Sequence, residues 1–545
     1  GVRTASSPGR LSVAVGRLLG ALERGYQRLL EASLRHPLPV VAGAGLLFAA
    51  AVAALPLLGT EFMPATDEDE VRVDVEMPSG TRLEVGEQAV QQAVAVVRER
   101  VPEAVTTVVS VGASSWRPSE SAEGDIRISL PPQGERARSS AEVAADLRQA
   151  IGSIPGAEVR VRARRPFFLR ALSGGGSGTG LEIEVRGYDF DTLDALAREV
   201  QRRLESVDGI TDLRRSRESG EPQRLIRVDR RRAADQGVSV AAIADTVETA
   251  VAGRVASRYL DGGNEVDIRV QLRDSEDLPP RALLDLRVPA ADGRLVRLGN
   301  VADLIEATGP VVIDRKDQTR LVTVYGSIAG RDLGSVVADV RAAIAAIPVP
   351  DNYDLLIGGD YEQQRSTFGE LGLSLLLAVA LVYMVMASLY ESFRDPLIVM
   401  GAVPLALIGV VAALFVTGTT LNAQSLIGCV ILIGVVVNNA ILIVDQANRL
   451  RAAGHAIRAA LMEAGRRRLR PILMTALTTI LALLPLAIGA GAGGETQAPL
   501  ARAVIGGLLV STAITLVLIP VIYAWAHRRD ALGASAGAAL PAAGD

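Results

Sequence analysis

In 545 residues there are one cysteine (Cys429), three histidines (His36, His455 and His527) and one lysine (Lys316). A lone cysteine excludes an intrachain disulfide, even for a region that faces an oxidising compartment. The histidines sit at the edges of apolar runs and the cysteine inside one. Neither a metal cluster nor a Cys/His nucleophile pair can be assembled from them, so no metal site is expected and an enzyme ranks last. The net charge is small, −4 at pH 7, which gives no sign of a nucleic-acid partner. The preference for arginine over lysine reads as genomic composition bias. A G-x-G-x-x-G match at Gly489, Gly491 and Gly494 follows a membrane helix and not a strand, so it marks no phosphate loop.

Apolar sequence is plentiful. Hydrophobic residues make up 49% and charged residues 22%, with a mean hydropathy of 0.29. That mixture calls for membrane spans together with polar domains outside the membrane. Residues 1–36 carry Arg10, Arg17, Arg24, Arg28 and Arg35 among leucines at helical spacing, suiting a basic helix on the cytoplasmic face or an ordinary solvated helix. No charge interrupts Leu38–Leu58, so residues 37–59 are the first span. Five further charge-free runs, Leu371–Tyr390, Pro396–Val416, Ser425–Val444, Pro471–Gly491 and Ala503–Ala526, fill residues 368–527 and bring the total to six. The connection after Asp445 holds seven arginines against Glu463, which places it in the cytoplasm, and every other loop agrees. The chain starts at Gly1 with no signal-peptide pattern and reads as the interior or C-terminal part of something longer; residues 528–545 read as a disordered cytoplasmic tail.

About 300 polar residues follow the first span, too many for a linker. Strand and helix patterns alternate: VRVDVEM (Val71–Met77) is a half-buried strand by its period of two, and DIRISL from Asp125 and EVRVRAR from Glu158 repeat the theme. Two βαβ-like units over residues 66–165 predict a ferredoxin-like subdomain. Ser173–Gly180, SGGGSGTG, is a flexible linker by composition. A second such subdomain opens at residues 180–217 and closes only at 310–366, so residues 218–309 are an inserted subdomain. The fold class is therefore an α-helical membrane bundle of six spans with α+β subdomains of ferredoxin-like type outside the cytoplasm.

Within Ser425–Gln446, Asn438 and Asn439 interrupt an apolar helix, and Asp445 lies seven residues on, about 10 Å along the axis and on nearly the same face as Asn438. Two readings stand: hydrogen-bonding glue between helices, or part of an ion path. Arg468, Thr475, Thr478 and Thr479 make a second polar face on the helix that starts near Pro471, where threonines bonding to their own helix carbonyls are the alternative to a path.

Long blocks, GTEFMPATDEDEVRVDVEMPSGT, GGDYEQQRSTF, MVMASLYESFRDPLIVMGAVPLALIG, LIGVVVNNAILIVDQANRLR and RRLRPILMTALTTILALLPLAIG, resemble the resistance-nodulation-division (RND) transporters, with most likeness to the hydrophobe/amphiphile efflux branch. The resemblance implies an inner-membrane pump that uses the proton motive force and no cofactor. It implies a trimer of full units, working with a periplasmic adaptor and an outer-membrane channel to expel amphiphilic small molecules. Residues 66–165, 180–217 and 310–366 would be porter subdomains, and 218–309 the docking subdomain. Family members carry two six-span halves, and this chain matches the second half. The acidic proton-binding pair belongs to the first half and has to come from a missing N-terminal half or a split-gene partner. Asn438, often lysine in the family, with its neighbour Asn439, Arg468 and Thr475 would be the proton-relay-associated residues here. Trp116, in the loop Gly112–Glu123, would border the cargo path, or pack against its own subdomain. The alternative function is a structural or regulatory half-pump subunit that is not energised.

Overall fold

The computed structural model describes residues 10–64, 66–78, 81–112, 124–164, 180–216, 221–273, 275, 279–309, 313–489 and 493–528. Trp116, the linker 173–179 and the tail from residue 529 lie outside the described residues. Helix α1 (Arg10–Arg35) buries Tyr26, Leu30 and Leu34 and is followed, across His36, by α2 (Pro37–Ala54).

The first lobe runs β1 (Glu70–Glu76), α3 (Leu83–Arg100), β2 (Thr106–Val111), β3 (Gly124–Ser129), α4 (Ser140–Ile151) and β4 (Glu158–Ala163). Alternation does what its period demands: Val71, Val73 and Val75 are buried under α3 and α4, while Arg72 and Asp74 point to the other face. The strand order is β2-β3-β1-β4, antiparallel throughout. Helix α4 begins at a capping box in which Ser139 and Glu142 satisfy each other's backbone amides.

The second lobe repeats that order across a gap in the chain. It starts with β5 (Leu181–Gly187), α5 (Phe190–Leu204) and β6 (Ile210–Arg215). An insert follows: β7 (Glu221–Val228), α6 (Arg230–Asp235), α7 (Val240–Val251), the exposed hairpin β8 (Arg254–Asp261) and β9 (Asn264–Val270), then β10 (Arg287–Pro289), β11 (Leu295–Arg297) and β12 (Ala302–Gly309). Strands β7 and β12 pair with each other, so the insert enters and leaves at one point. The lobe is completed by β13 (Arg315–Lys316), β14 (Thr319–Ile328), α8 (Leu333–Ala345) and β15 (Asp354–Gly359). Strand β14 pairs with both β5 and β6, and β15 closes on β5.

The membrane part resumes directly from β15 with α9 (Asp360–Tyr390), then α10 (Arg394–Met400), α11 (Ala402–Val416), α12 (Ala423–Ala452), α13 (Ile457–Ile488) and α14 (Gly494–Ala526). Among the described residues, six helical segments are long and apolar enough to cross a membrane. Their apolar windows are 50–56% buried in α10–α11, α12 and α14 but only 6–11% in α2, α9 and α13. The first group is therefore the bundle's centre, and the second presents bare apolar faces. Helices α9, α13 and α14 start 9 to 14 residues before the apolar runs that the sequence shows. In particular, α13 does not begin near Pro471. It begins at Ile457, with Pro471 inside it; pairs such as Glu463–Arg466 and Glu463–Arg467 at i+3 and i+4 support its charged first half.

Lobes and bundle meet at Gly59–Phe62, just past α2. Leu421 donates its amide to the Gly59 carbonyl (3.0 Å), and Glu61 donates back to Leu421 (3.1 Å), which fastens this segment to the loop before α12. On the other side, Thr60 donates its amide to Asp332 Oδ2 (2.9 Å), and Gly334 donates to the Thr60 carbonyl (3.0 Å). Asp332 is also the N-cap of α8, accepting from the Ser335 amide. Burial works against its charge, but the hydrogen bonds from Thr60 and Ser335 outweigh it and hold the carboxyl below the usual aspartate range. Because the folded pKa is depressed, its contribution is complete above the unfolded value of about 4 and is lost as pH falls through the lower folded value. Thermal melts of the purified chain from pH 7 to pH 3 are expected to show less acid loss for Asp332→Asn, which keeps a cap oxygen. Asp332→Ala is expected to cost about 1 kcal/mol at pH 7.

Candidate functional site

Inside the bundle, α9, α12 and α13 surround a cavity of about 630 Å³, backed by Leu508 of α14. Its wall is mostly apolar, with Leu381, Val385 and Met386 from α9. The polar groups are Asn438 and Asn439 on α12 and Thr475 and Thr479 on α13. Successive helix residues point about 100° apart, so the two asparagines divide their tasks. Asn438 is exposed towards the cavity, and among the described residues its amide has no hydrogen-bond partner. Asn439 is buried and reaches Thr512 Oγ1 of α14 through a long contact of 3.5 Å.

Thr475 and Thr479 donate their hydroxyl protons to their own helix, to Ile472 O and Thr475 O at 3.0 Å each. That leaves the hydroxyl lone pairs free to accept. Arg468 does not line the cavity. It sits two turns below Thr475 and donates to Gln446 Oε1 of α12 (3.1 Å). Asp445 likewise lies off the cavity and pairs with Arg449 (3.1 Å). The structure thus gathers Asn438, Asn439 and Thr475 at one cavity and places Arg468 on the approach from the arginine-rich side.

Sequence reasoning overlooked two features. Thr512 was legible as one of Ser511, Thr512 and Thr515 on an apolar helix, all three buried. A second polar cluster lies at the arginine-rich end: Asn448 donates to Asp395 Oδ2 (2.8 Å), Tyr523 donates to Asn448 Oδ1, and Arg451 donates to the Tyr523 hydroxyl (2.8 Å). His527 stacks on Tyr523 and lies 3.4 Å from Asp395 Oδ1. These residues are spread over more than 130 positions, with no spacing that announces them.

The arrangement can hold polar groups or water in an apolar bundle, on a face that α9 and α13 leave bare. The polar groups that line it, two asparagines and two threonines, are neutral. The AcrB/AcrD/AcrF family profile matches residues 2–527. The chain is 30% identical over 535 residues to the cobalt-zinc-cadmium resistance protein CzcA of Cupriavidus metallidurans, covering 96% of this chain and 50% of that protein. It is 30% identical to the nickel and cobalt resistance protein CnrA of the same bacterium, covering 95% and 49%. A crystal structure of a heavy metal efflux pump superposes with a TM-score of 0.80 at 29% identity, covering 93% of this chain and 53% of that one. The chain spans about half the length of the curated relatives it matches.

Six apolar helices, four of which line a partly polar cavity, and two α/β lobes make up the architecture of the RND superfamily. The chain belongs to the AcrB/AcrD/AcrF family.

Proposed function

We propose that this chain is the C-terminal half of a proton-driven efflux transporter of the inner membrane, with both lobes and the insert on the periplasmic side. The observation that carries the reading is the cavity: an unpartnered Asn438 amide beside Thr475 and Thr479, open on the face that a second half would cover. A carboxylate from that half would accept from Asn438 and change its contacts on protonation. Helix α9, continuous with β15, and the Gly59–Phe62 joint would pass the shift to the lobes. The two matching strand orders support reading the lobes as ferredoxin-like porter subdomains, with residues 218–309 as the docking subdomain; a trimer, an adaptor and an outer-membrane channel complete the assembly by analogy with the family.

Two cargo classes have separate support. The names of the relatives, resistance proteins for cobalt, zinc, cadmium and nickel, favour a divalent transition-metal cation. The resemblance of the long sequence blocks to the hydrophobe/amphiphile branch favours an amphiphile.

The test is accumulation in efflux-deficient cells of radiolabelled cobalt and of a lipophilic dye, with this chain alone and with a candidate first half at matched membrane levels. The expected result is that the pair lowers accumulation of one cargo and a protonophore restores it. No effect on either cargo, with both chains folded and co-purifying, would favour the non-energised subunit.

A further inference from the structure

The polar cluster at the arginine-rich end of the bundle lies outside the cavity and holds a buried acid beside a buried imidazole. Asp395 of α10 is 7% exposed, and His527, just past the end of α14, is 9% exposed. Donors run one way through the cluster: Arg451 to Tyr523, Tyr523 to Asn448, and Asn448 to Asp395 Oδ2. That polarity suits a carboxylate, which can only accept. Its other oxygen, Oδ1, is buried and among the described residues has no hydrogen bond.

His527 faces an acceptor on each side. Nδ1 lies 3.2 Å from the Tyr523 carbonyl oxygen, and Nε2 lies 3.4 Å from Asp395 Oδ1. A neutral imidazole has one N–H and one lone pair, so either tautomer turns a lone pair on an acceptor. With one more proton both nitrogens donate, and Asp395 Oδ1 gains the donor it lacks. The end of α14 favours the same state, because the partial negative charge at a helix C-terminus attracts a cation.

Few other charges face the pair. Arg451 of α12 reaches the Tyr523 hydroxyl. Tyr390 of α9 is close enough for Asp395 to act on it, and its hydroxyl donates to the Ile441 carbonyl (3.1 Å). Helices α2 and α11 carry no charged residue. On α1 and α13, Arg35 pairs with Glu31, Arg470 with Glu23, and Arg466 and Arg467 with Glu463, while Arg458 donates to the Leu34 carbonyl. Arg394 and Arg528, next in sequence to the pair, are exposed.

A weak point in α14 precedes the pair. Pro520 has no N–H, so the Leu516 carbonyl loses its helical donor; the Tyr26 hydroxyl of α1 donates to it instead (2.9 Å). The turn that carries Tyr523 and His527 thus lies beyond a missing helical bond, where a helix bends most readily.

We propose that Asp395 and His527 form a proton-binding latch. One proton taken up from solvent ties the end of α14 to α10, and its loss releases that end. Imidazole titrates between about pH 5 and 8, so the latch closes as pH falls through this window and opens as it rises. Helices α12 and α14 also bring Asn439 and Thr512 together at the cavity, and Asn448 lies about 14 Å along α12 from Asn439. Proton concentration at the arginine-rich end therefore acts on the two helices that back the cavity. The latch goes beyond the export reading and holds or fails without it.

The test uses the full chain in lipid nanodiscs, in a Cys429→Ala background, with a nitroxide label at Trp525→Cys. Trp525 is 68% exposed on the latched turn, so the label reports that turn without entering the cluster. From about pH 5.5 to pH 8.5 the ratio of mobile to immobile label is expected to rise about tenfold, the scale of one charge-assisted hydrogen bond. His527→Gln and Asp395→Asn are each expected to abolish the response, and His455→Gln to keep it. Should Asp395→Asn fail to fold by circular dichroism, the two histidine variants decide. A wild type with no response, or one whose label is freer at low pH, overturns the latch. So does a response that survives His527→Gln or, in folded protein, Asp395→Asn. None of these results bears on the export reading, since the nanodisc holds neither cargo nor a first half.

Discussion

Gly409→Val is expected to remove the folded protein from the membrane. A Cβ built at Gly409 on α11 meets the Gly506 carbonyl oxygen of α14 at 2.1 Å and its carbon at 2.7 Å, and a Cβ at Gly506 meets the Gly409 oxygen at 2.5 Å. These are backbone atoms of two central helices, so no side chain can swing away. Close approach through small residues is how helices associate where lipid is as apolar as leucine. Valine forces α11 and α14 apart, separating the surfaces that bury Val410, Leu414 and Leu508. Overpacking a core costs about 1–3 kcal/mol where side chains can adjust, and a rigid backbone contact belongs at or above that range. Size-exclusion profiles after detergent extraction read the outcome: a monodisperse peak for the wild type and aggregate for Gly409→Val. Gly434→Val on α12 is the control, because nothing lies within 4 Å of its Cβ position.

Asn438→Ala is expected to lower efflux by the complete assembly about tenfold or more without lowering the membrane level of the chain. Asn438 is exposed and unpartnered within the described residues, so its removal takes no contact from this half. If its amide donates to a partner carboxylate, alanine removes a charge-assisted bond of about 1.5–3 kcal/mol at the coupling step. Thr475→Ala and Arg468→Ala are expected to lower efflux as well, the first by removing a free acceptor in the cavity. Asn439→Ala supplies the contrast: it loses the contact with Thr512, and the expected effect is on thermal stability, about 1 kcal/mol, with efflux retained. Efflux in cells and the melting temperature of the purified chain separate the two outcomes.

The sequence showed much of this fold because its signals are local. Val71, Val73 and Val75 announce β1 by alternation. Leu38–Leu58 announces a span by length, and two βαβ-like patterns separated by about 100 residues announce an insert. Apolar runs mark helix starts too late, since charge ends an apolar run but not a helix: Arg466, Arg467, Arg468 and Arg470 lie inside α13. The asparagine pair was visible, but which of the two is left exposed and which is buried against Thr512 depends on the rotation of α12 against α9 and α14, which two adjacent residues do not encode. The pairing of β14 with both β5 and β6 joins strands from the two sides of the insert, which no local pattern encodes.

The central claim is that the cavity around Asn438 couples proton movement to export. The most direct measurement is internal pH in proteoliposomes that hold this chain with its first half and an enclosed pH dye, after addition of cargo. The expected result is a cargo-dependent proton flux in the wild type that Asn438→Ala abolishes. Equal flux in both, or cargo movement at full rate with no pH gradient, would contradict the account.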